Sequence, residues 1–68
     1  MNLIEGLQQE MNRVQGVITE YEAIPGGVGR LAAMIMRADI QDAERSIASG
    51  DVVEMLASYK SLQEIESD

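Results

Sequence analysis

A chain of 68 residues and 7.4 kDa makes one domain, and surface scaling lets a chain of this size bury only about 60% of what its unfolded form exposes. Cysteine and histidine are both absent, which excludes disulfides, thiolate nucleophiles, imidazole bases and the usual zinc and haem ligands. Support for so small a core is expected from a partner subunit, while 5 basic against 12 acidic residues, a net charge of −7, opposes binding to bare nucleic acid, whose affinity comes from neutralising phosphates.

With no Phe, no Trp and only Tyr21 and Tyr59, the chain lacks a platform on which unpaired bases could stack. Both tyrosines sit on apolar faces and are expected in a core or an interface. The longest apolar run is Leu31 to Met36, far short of the roughly 20 residues that span a bilayer. Met1-Asn2-Leu3-Ile4-Glu5 has none of the basic, apolar and small-residue succession of a secretory signal. The expectation is a cytoplasmic protein with no membrane partner.

The first predicted helix runs from about residue 3 to residue 24. Asn2 followed by Glu5 is a capping pattern with Asn in place of Ser or Thr. Ile4, Leu7, Met11, Val14, Ile18 and Tyr21 then alternate in steps of three and four, a heptad seam. Leu3, Val17 and Ile24 widen the stripe, so this helix is expected to meet more than one neighbour. Gly6 and Gly16 lie inside it, each costing up to about 1 kcal/mol relative to Ala.

Pro25 disfavours helical geometry at Ile24, and Gly26, Gly27 and Gly29 permit dihedrals that other residues avoid, so residues 25–29 read as a glycine-rich turn. A second helix follows over about 30–49. Its opening, Leu31-Ala32-Ala33-Met34-Ile35-Met36, is apolar on every side, and such a helix must be covered on every side. Met34, Met36 and Met55 suit gap filling, although Met34 and Met36 point to different sides. The predicted subunit contact combines Leu31, Met34 and Ile35 with Leu7, Met11, Val14 and Ile18 from the first seam. Ser49-Gly50-Asp51 supplies a glycine stop and the next N-cap, with Glu54 completing the capping pattern. The third helix, about 52–65, carries Val52, Met55, Leu56, Tyr59, Leu62 and Ile65 on one predicted face, and Glu64, Glu66 and Asp68 are expected to fray.

The fold class that follows is all-α: a helical hairpin or three-helix protomer, one domain over residues 1–68, assembling into a homo-oligomeric bundle. Catalysis is not expected. Without histidine, neutral-pH acid and base work would fall to carboxylates, the tyrosines or Lys60. Asp39, Asp42 and Glu44 lack the neighbouring histidine with which helical-bundle carboxylates build metal sites, so they read as a solvated face. No metal and no cofactor is expected.

The informative stretch is Pro25 to Arg30, a glycine turn opening a helix whose first amides have no internal partner and so attract anions. Neither a P-loop nor a dinucleotide fingerprint is present. Arg30 and Arg37 are seven residues apart, hence on one face about 10 Å apart. Residues 1–24 sum to −3 and residues 50–68 to −4, while residues 25–49 balance Arg30, Arg37 and Arg45 against three acids. Two readings follow. In one, the glycines only make the turn and the arginines pair with neighbouring carboxylates. In the other, Gly26, Gly27, Gly29, Arg30 and Arg37 hold a small phosphorylated ligand where the loops of two subunits meet.

Ile24-Pro25-Gly26-Gly27 through Met34-Ile35, then Ala43-Glu44 and Ser49 through Leu56, resemble small helical proteins encoded in bacteriophages and prophages. The resemblance spans about two thirds of the chain and carries no activity over to particular residues. It implies a setting in which short accessory proteins inhibit a host protein or sequester a host signalling molecule, an anti-defence role. The function expected is therefore binding: sequestration of a signalling nucleotide or similar ligand, or inhibition of a host protein through an acidic, methionine-bearing surface.

Overall fold

A computed structural model describes residues 2–66. Three helices account for most of them: α1 (Leu3–Glu22), α2 (Arg30–Ser49) and α3 (Val52–Gln63), with a single 3₁₀ turn at Pro25–Gly27 and no strand among the described residues. Asp68, expected to fray, lies outside the described residues.

The helix boundaries are set locally. The Glu5 amide donates to Asn2 Oδ1 at 2.9 Å and the Glu54 amide donates to Asp51 Oδ1 at 3.2 Å, so both predicted caps form. Gly50 ends α2 at φ 71°, and the Asp51 amide reaches back to the Ser46 carbonyl at 3.3 Å. That is a glycine-terminated Schellman stop. Ile24 is extended ahead of Pro25 (ψ 125°), which ends α1 at Glu22 rather than at residue 24. Likewise α3 closes at Gln63, short of the expected residue 65.

The two-residue link between α2 and α3 makes them antiparallel neighbours. All three helices touch one another. Between them lie Leu7, Val14, Val17 and Ile18 of α1, Ala33, Met36, Ile40 and Ala43 of α2, and Met55 and Leu62 of α3. The heptad seam of α1 is thus used inside the protomer. Leu7 and Val14 are wholly buried and Ile18 nearly so, with Met11 half-buried against the same core. The expected subunit contact through Leu7, Met11, Val14 and Ile18 is corrected accordingly: these side chains already meet α2 and α3. Ile4 departs from the seam and is exposed, Leu3 taking the inward place beside it.

Helix α3 is also turned relative to its predicted face. Met55, Ser58 and Leu62 are buried with Tyr59 and Ile65 packed beside them, while Val52 and Leu56 face outward at 57% and 54% exposure. Apolarity alone favours Leu56 inward. Close approach to α2 favours Ser58, which is buried as Ser46 is, and the two small side chains line the same interhelical groove.

The molecule is long for its size, 39 × 20 × 15 Å with a radius of gyration of 12.3 Å, against about 11 Å for a compact chain of this length. The cause is the shortness of α3. Its 12 residues reach only part way along the 20-residue helices, and its last carbonyls stop beside Arg13, in the middle of α1, whose guanidinium donates to the Leu62 carbonyl at 2.7 Å. The turn end of the hairpin is therefore two helices thick. There Leu31, Met34 and Ile35 stand 69%, 64% and 57% exposed, with Val28 beside them at 78%. The sequence expectation for this run divides cleanly, since Ala33 and Met36 are buried and Met34 is uncovered.

Candidate functional site

The turn places the predicted ligand residues at one end of the molecule. Gly26 and Gly27 adopt φ 80° and 72°, the left-handed region that side chains avoid. The Arg30 stem also folds over Gly27, its Cδ 2.7 Å from where a Cβ would stand, but this flexible side chain could swing aside, so the positive φ is the restriction. Gly29 has an ordinary φ of −87° and is needed for close approach instead. It is buried, and a Cβ would come 2.9 Å from the carbonyl carbon of Tyr21 and nearer still to its oxygen.

Gly29 is also the N-cap of α2 and offers no side-chain bond to the helix's first amides. Those amides carry the positive end of the helix dipole. Arg30 makes no ion pair among the described residues. Gly26, Gly27, Gly29 and Arg30 thus lie together at the turn end, where the Arg30 guanidinium stands beside the first turn of α2 and the exposed apolar side chains of Val28 and Leu31.

Arg37 is placed differently. It pairs with Glu22 at the end of α1, closing the hairpin in the way the plain reading of the arginines expects. Arg45 pairs with Asp42 within α2. Arg13, to which the sequence assigns no role, does most for the structure: it pairs with Glu10 at 3.1 Å and caps the end of α3. Its signal is invisible locally, since Leu62 lies 49 residues away.

A groove of about 740 Å³ opens between α2 and α3, lined by Asp39, Asp42, Arg45, Ser46, Glu54 and Ser58 among others. Small residues facing one another, among them Ser46, Ser49, Ala57 and Ser58, leave the seam between the helices unfilled by apolar side chains. No group of three or more metal-ligating side chains gathers among the described residues, there or elsewhere.

Asp39 is half-buried at this groove, and burial, with the nearby Asp42 carboxylate second, holds its carboxyl above the ordinary value of 3.8. The folded state therefore binds this proton more tightly than the unfolded chain does. The associated stability is present at low pH and is lost as pH rises through the raised value. Asp39→Asn is expected to stabilise the protein at neutral pH by up to about 0.5 kcal/mol, as surface changes do. The gain should vanish well below pH 3.8, where the wild-type carboxyl is protonated in both states; urea midpoints at neutral pH and in that acidic range check it.

Among the described residues no helix is long and apolar enough to cross a membrane. Comparison with protein-family models, with curated proteins and with solved structures finds no match.

Proposed function

We propose that this is a non-catalytic binding protein that works as a homo-oligomer and sequesters a small phosphorylated ligand, of the signalling-nucleotide kind, at the turn end of the hairpin. One observation carries the reading. The α2 terminus has no capping side chain and stands beside Arg30, a guanidinium with no ion pair among the described residues. Phosphate oxygens accept from such a set, and the exposed Val28 and Leu31 alongside suit the flat apolar part of a nucleotide. The pairing of Arg37 with Glu22 leaves Arg30 as the main cation of the site. This role agrees with the accessory setting that the phage-protein resemblance implies, in a cytoplasmic protein.

Native mass spectrometry with added mono- and cyclic nucleotides tests it. The expected result is a discrete added mass of one nucleotide per site, with Arg30→Glu weakening binding about tenfold or more, as loss of charge-assisted bonds does. A folded Arg30→Glu protein of unchanged affinity would overturn the assignment. Arg37→Glu should matter less, its first effect being to lose Glu22.

A second reading, inhibition or adaptation of a host protein, is favoured by the exposure of Met34 between Leu31 and Ile35. Under it, charge reversal at Glu5 or Glu54 weakens capture of a stoichiometric partner. Glu10 is a poorer lever because Arg13 already engages it.

A further inference from the structure

We propose that the groove between α2 and α3 binds a short linear polyamine, an aliphatic chain with an ammonium group at each end and an amine between them, Asp39 and Glu54 taking the ends and Ser58 the middle. Ser58 is the residue that points to a ligand. It is only 7% exposed and lines the groove, yet its hydroxyl makes no hydrogen bond among the described residues. Two neighbouring hydroxyls are used within their own helix: Ser46 donates to the Ala43 carbonyl at 2.6 Å and Ser49 to the Ser46 carbonyl at 3.2 Å. Among the described residues no side-chain oxygen or nitrogen is shut away without a partner. The Ser58 Oγ therefore reaches open space, and the groove is the space this buried residue lines. A hydroxyl taken from bulk water costs free energy while it is unbonded, so this one is set to bond whatever the groove holds.

Charge selects the occupant. The groove sets Asp39, Asp42 and Glu54 against Arg45. Arg45 is taken by Asp42, whereas the carboxylates of Asp39 and Glu54 have no ion pair among the described residues. Burial, and after it the Asp42 carboxylate, raise the Asp39 carboxyl above its ordinary value, the mark of a carboxylate short of positive charge. Two unpaired carboxylates and a hydroxyl are all acceptors, and an ammonium is a donor with nothing to accept. A metal ion suits the groove less well. Calcium takes six to eight oxygen ligands, and no group of three or more ligating side chains gathers among the described residues. The net charge of −7 draws cations to the whole molecule; the groove gives them a shaped place.

Spacing makes that cation linear. Helices α2 and α3 run antiparallel from the Gly50–Asp51 link, so residues equally far from the link stand level with each other. Glu54 lies in the first turn of α3, at the link end, and Asp39 lies about three turns back along α2, at the far end. At a rise of about 1.5 Å per residue the two carboxylates are about 12 Å apart along the groove, with Ser58 about 6 Å from the level of each. A short run of methylenes spans each half. Ala48 and Ala57, which also line the groove, offer small apolar surface to those methylenes. A volume of about 740 Å³ leaves room for the chain and for water beside it.

Titration of the isotope-labelled protein with spermidine, followed by amide chemical shifts, tests the site; about 0.15 M salt screens loose attraction between exposed charges. Wild type is expected to saturate, with shifts confined to residues lining the groove. Asp39→Asn combined with Glu54→Gln should weaken binding about tenfold or more, and Ser58→Ala about threefold or more, as loss of one hydrogen bond does. Glu5→Gln combined with Glu20→Gln removes the same charge from α1, outside the groove, and should leave the affinity unchanged. Circular dichroism confirms that each variant folds. Absence of saturable shifts, shifts spread over the whole acidic surface, the same shifts from magnesium chloride, or groove variants that bind spermidine as wild type does would each overturn the proposal. The groove shares no residue with the glycine turn, so its failure leaves the anion site standing, and the reverse holds equally.

Discussion

Gly29→Ala is expected to destabilise the protein by about 3 kcal/mol, the upper end of what overpacking costs. The reason is what a single methyl would meet. At Gly29 a Cβ falls 2.9 Å from the Tyr21 carbonyl carbon and 3.1 Å from its Cα, with the carbonyl oxygen nearer still. These are backbone atoms of α1 and cannot swing aside as a long side chain would, so the two helices must part at the turn. A core this small supplies only about 3–5 kcal/mol in total. The variant should therefore be largely unfolded at room temperature, with loss of the helical signal at 222 nm in the absence of urea. Gly16→Ala is the control. A Cβ there meets nothing within 4 Å, and the same chemical change should stabilise by up to about 1 kcal/mol because alanine favours the helix. Equal and small effects from both substitutions would mean that α1 and α2 do not approach at Gly29.

Arg13→Met is expected to cost about 2 kcal/mol, a charge-assisted hydrogen bond at a partly buried site. Methionine keeps the apolar stem and removes the guanidinium, so the Leu62 carbonyl at the end of α3 loses its 2.7 Å donor. Helix ends leave their last carbonyls short of the usual internal partners; α3 ends at Glu64 in a right-handed conformation, where the Leu62 carbonyl keeps the Ile65 amide at 3.1 Å but loses its stronger, charged donor. The loss should be local first. Amide exchange at Glu64 and Ile65, whose backbone donors hold the final turn, should accelerate before the rest of the bundle responds. Uniform acceleration across all three helices would mean that Arg13 contributes only general stability.

Much of the architecture is legible in the sequence because it is decided within a few residues. Asn2 with Glu5, Asp51 with Glu54, Gly50, and Pro25 with its glycines start and stop the helices by contacts no more than five positions apart. The spacing of Leu7, Val14 and Ile18 marks a buried seam for the same reason: helical periodicity is a local property. What that seam packs against is not local. An amphipathic stripe looks alike whether it is covered by another subunit or by the chain's own later helices, and here α2 and α3 cover it.

Tertiary structure also decided what no spacing rule contains. The roll of α3 that buries Ser58 and exposes Leu56 follows from how closely it sits on α2. The pairing of Arg37 with Glu22, 15 residues apart, and of Arg13 with the end of α3 exists only once the helices are side by side. That leaves the candidate site divided. Its glycines and Arg30 belong to one short segment and are legible from composition and chain order, whereas the exposure of Leu31, Met34 and Ile35 depends on which side of α2 the other helices take. Helix length and caps are written in neighbouring residues; coverage depends on which side of each helix turns inward, and it emerges only when all three helices are packed together.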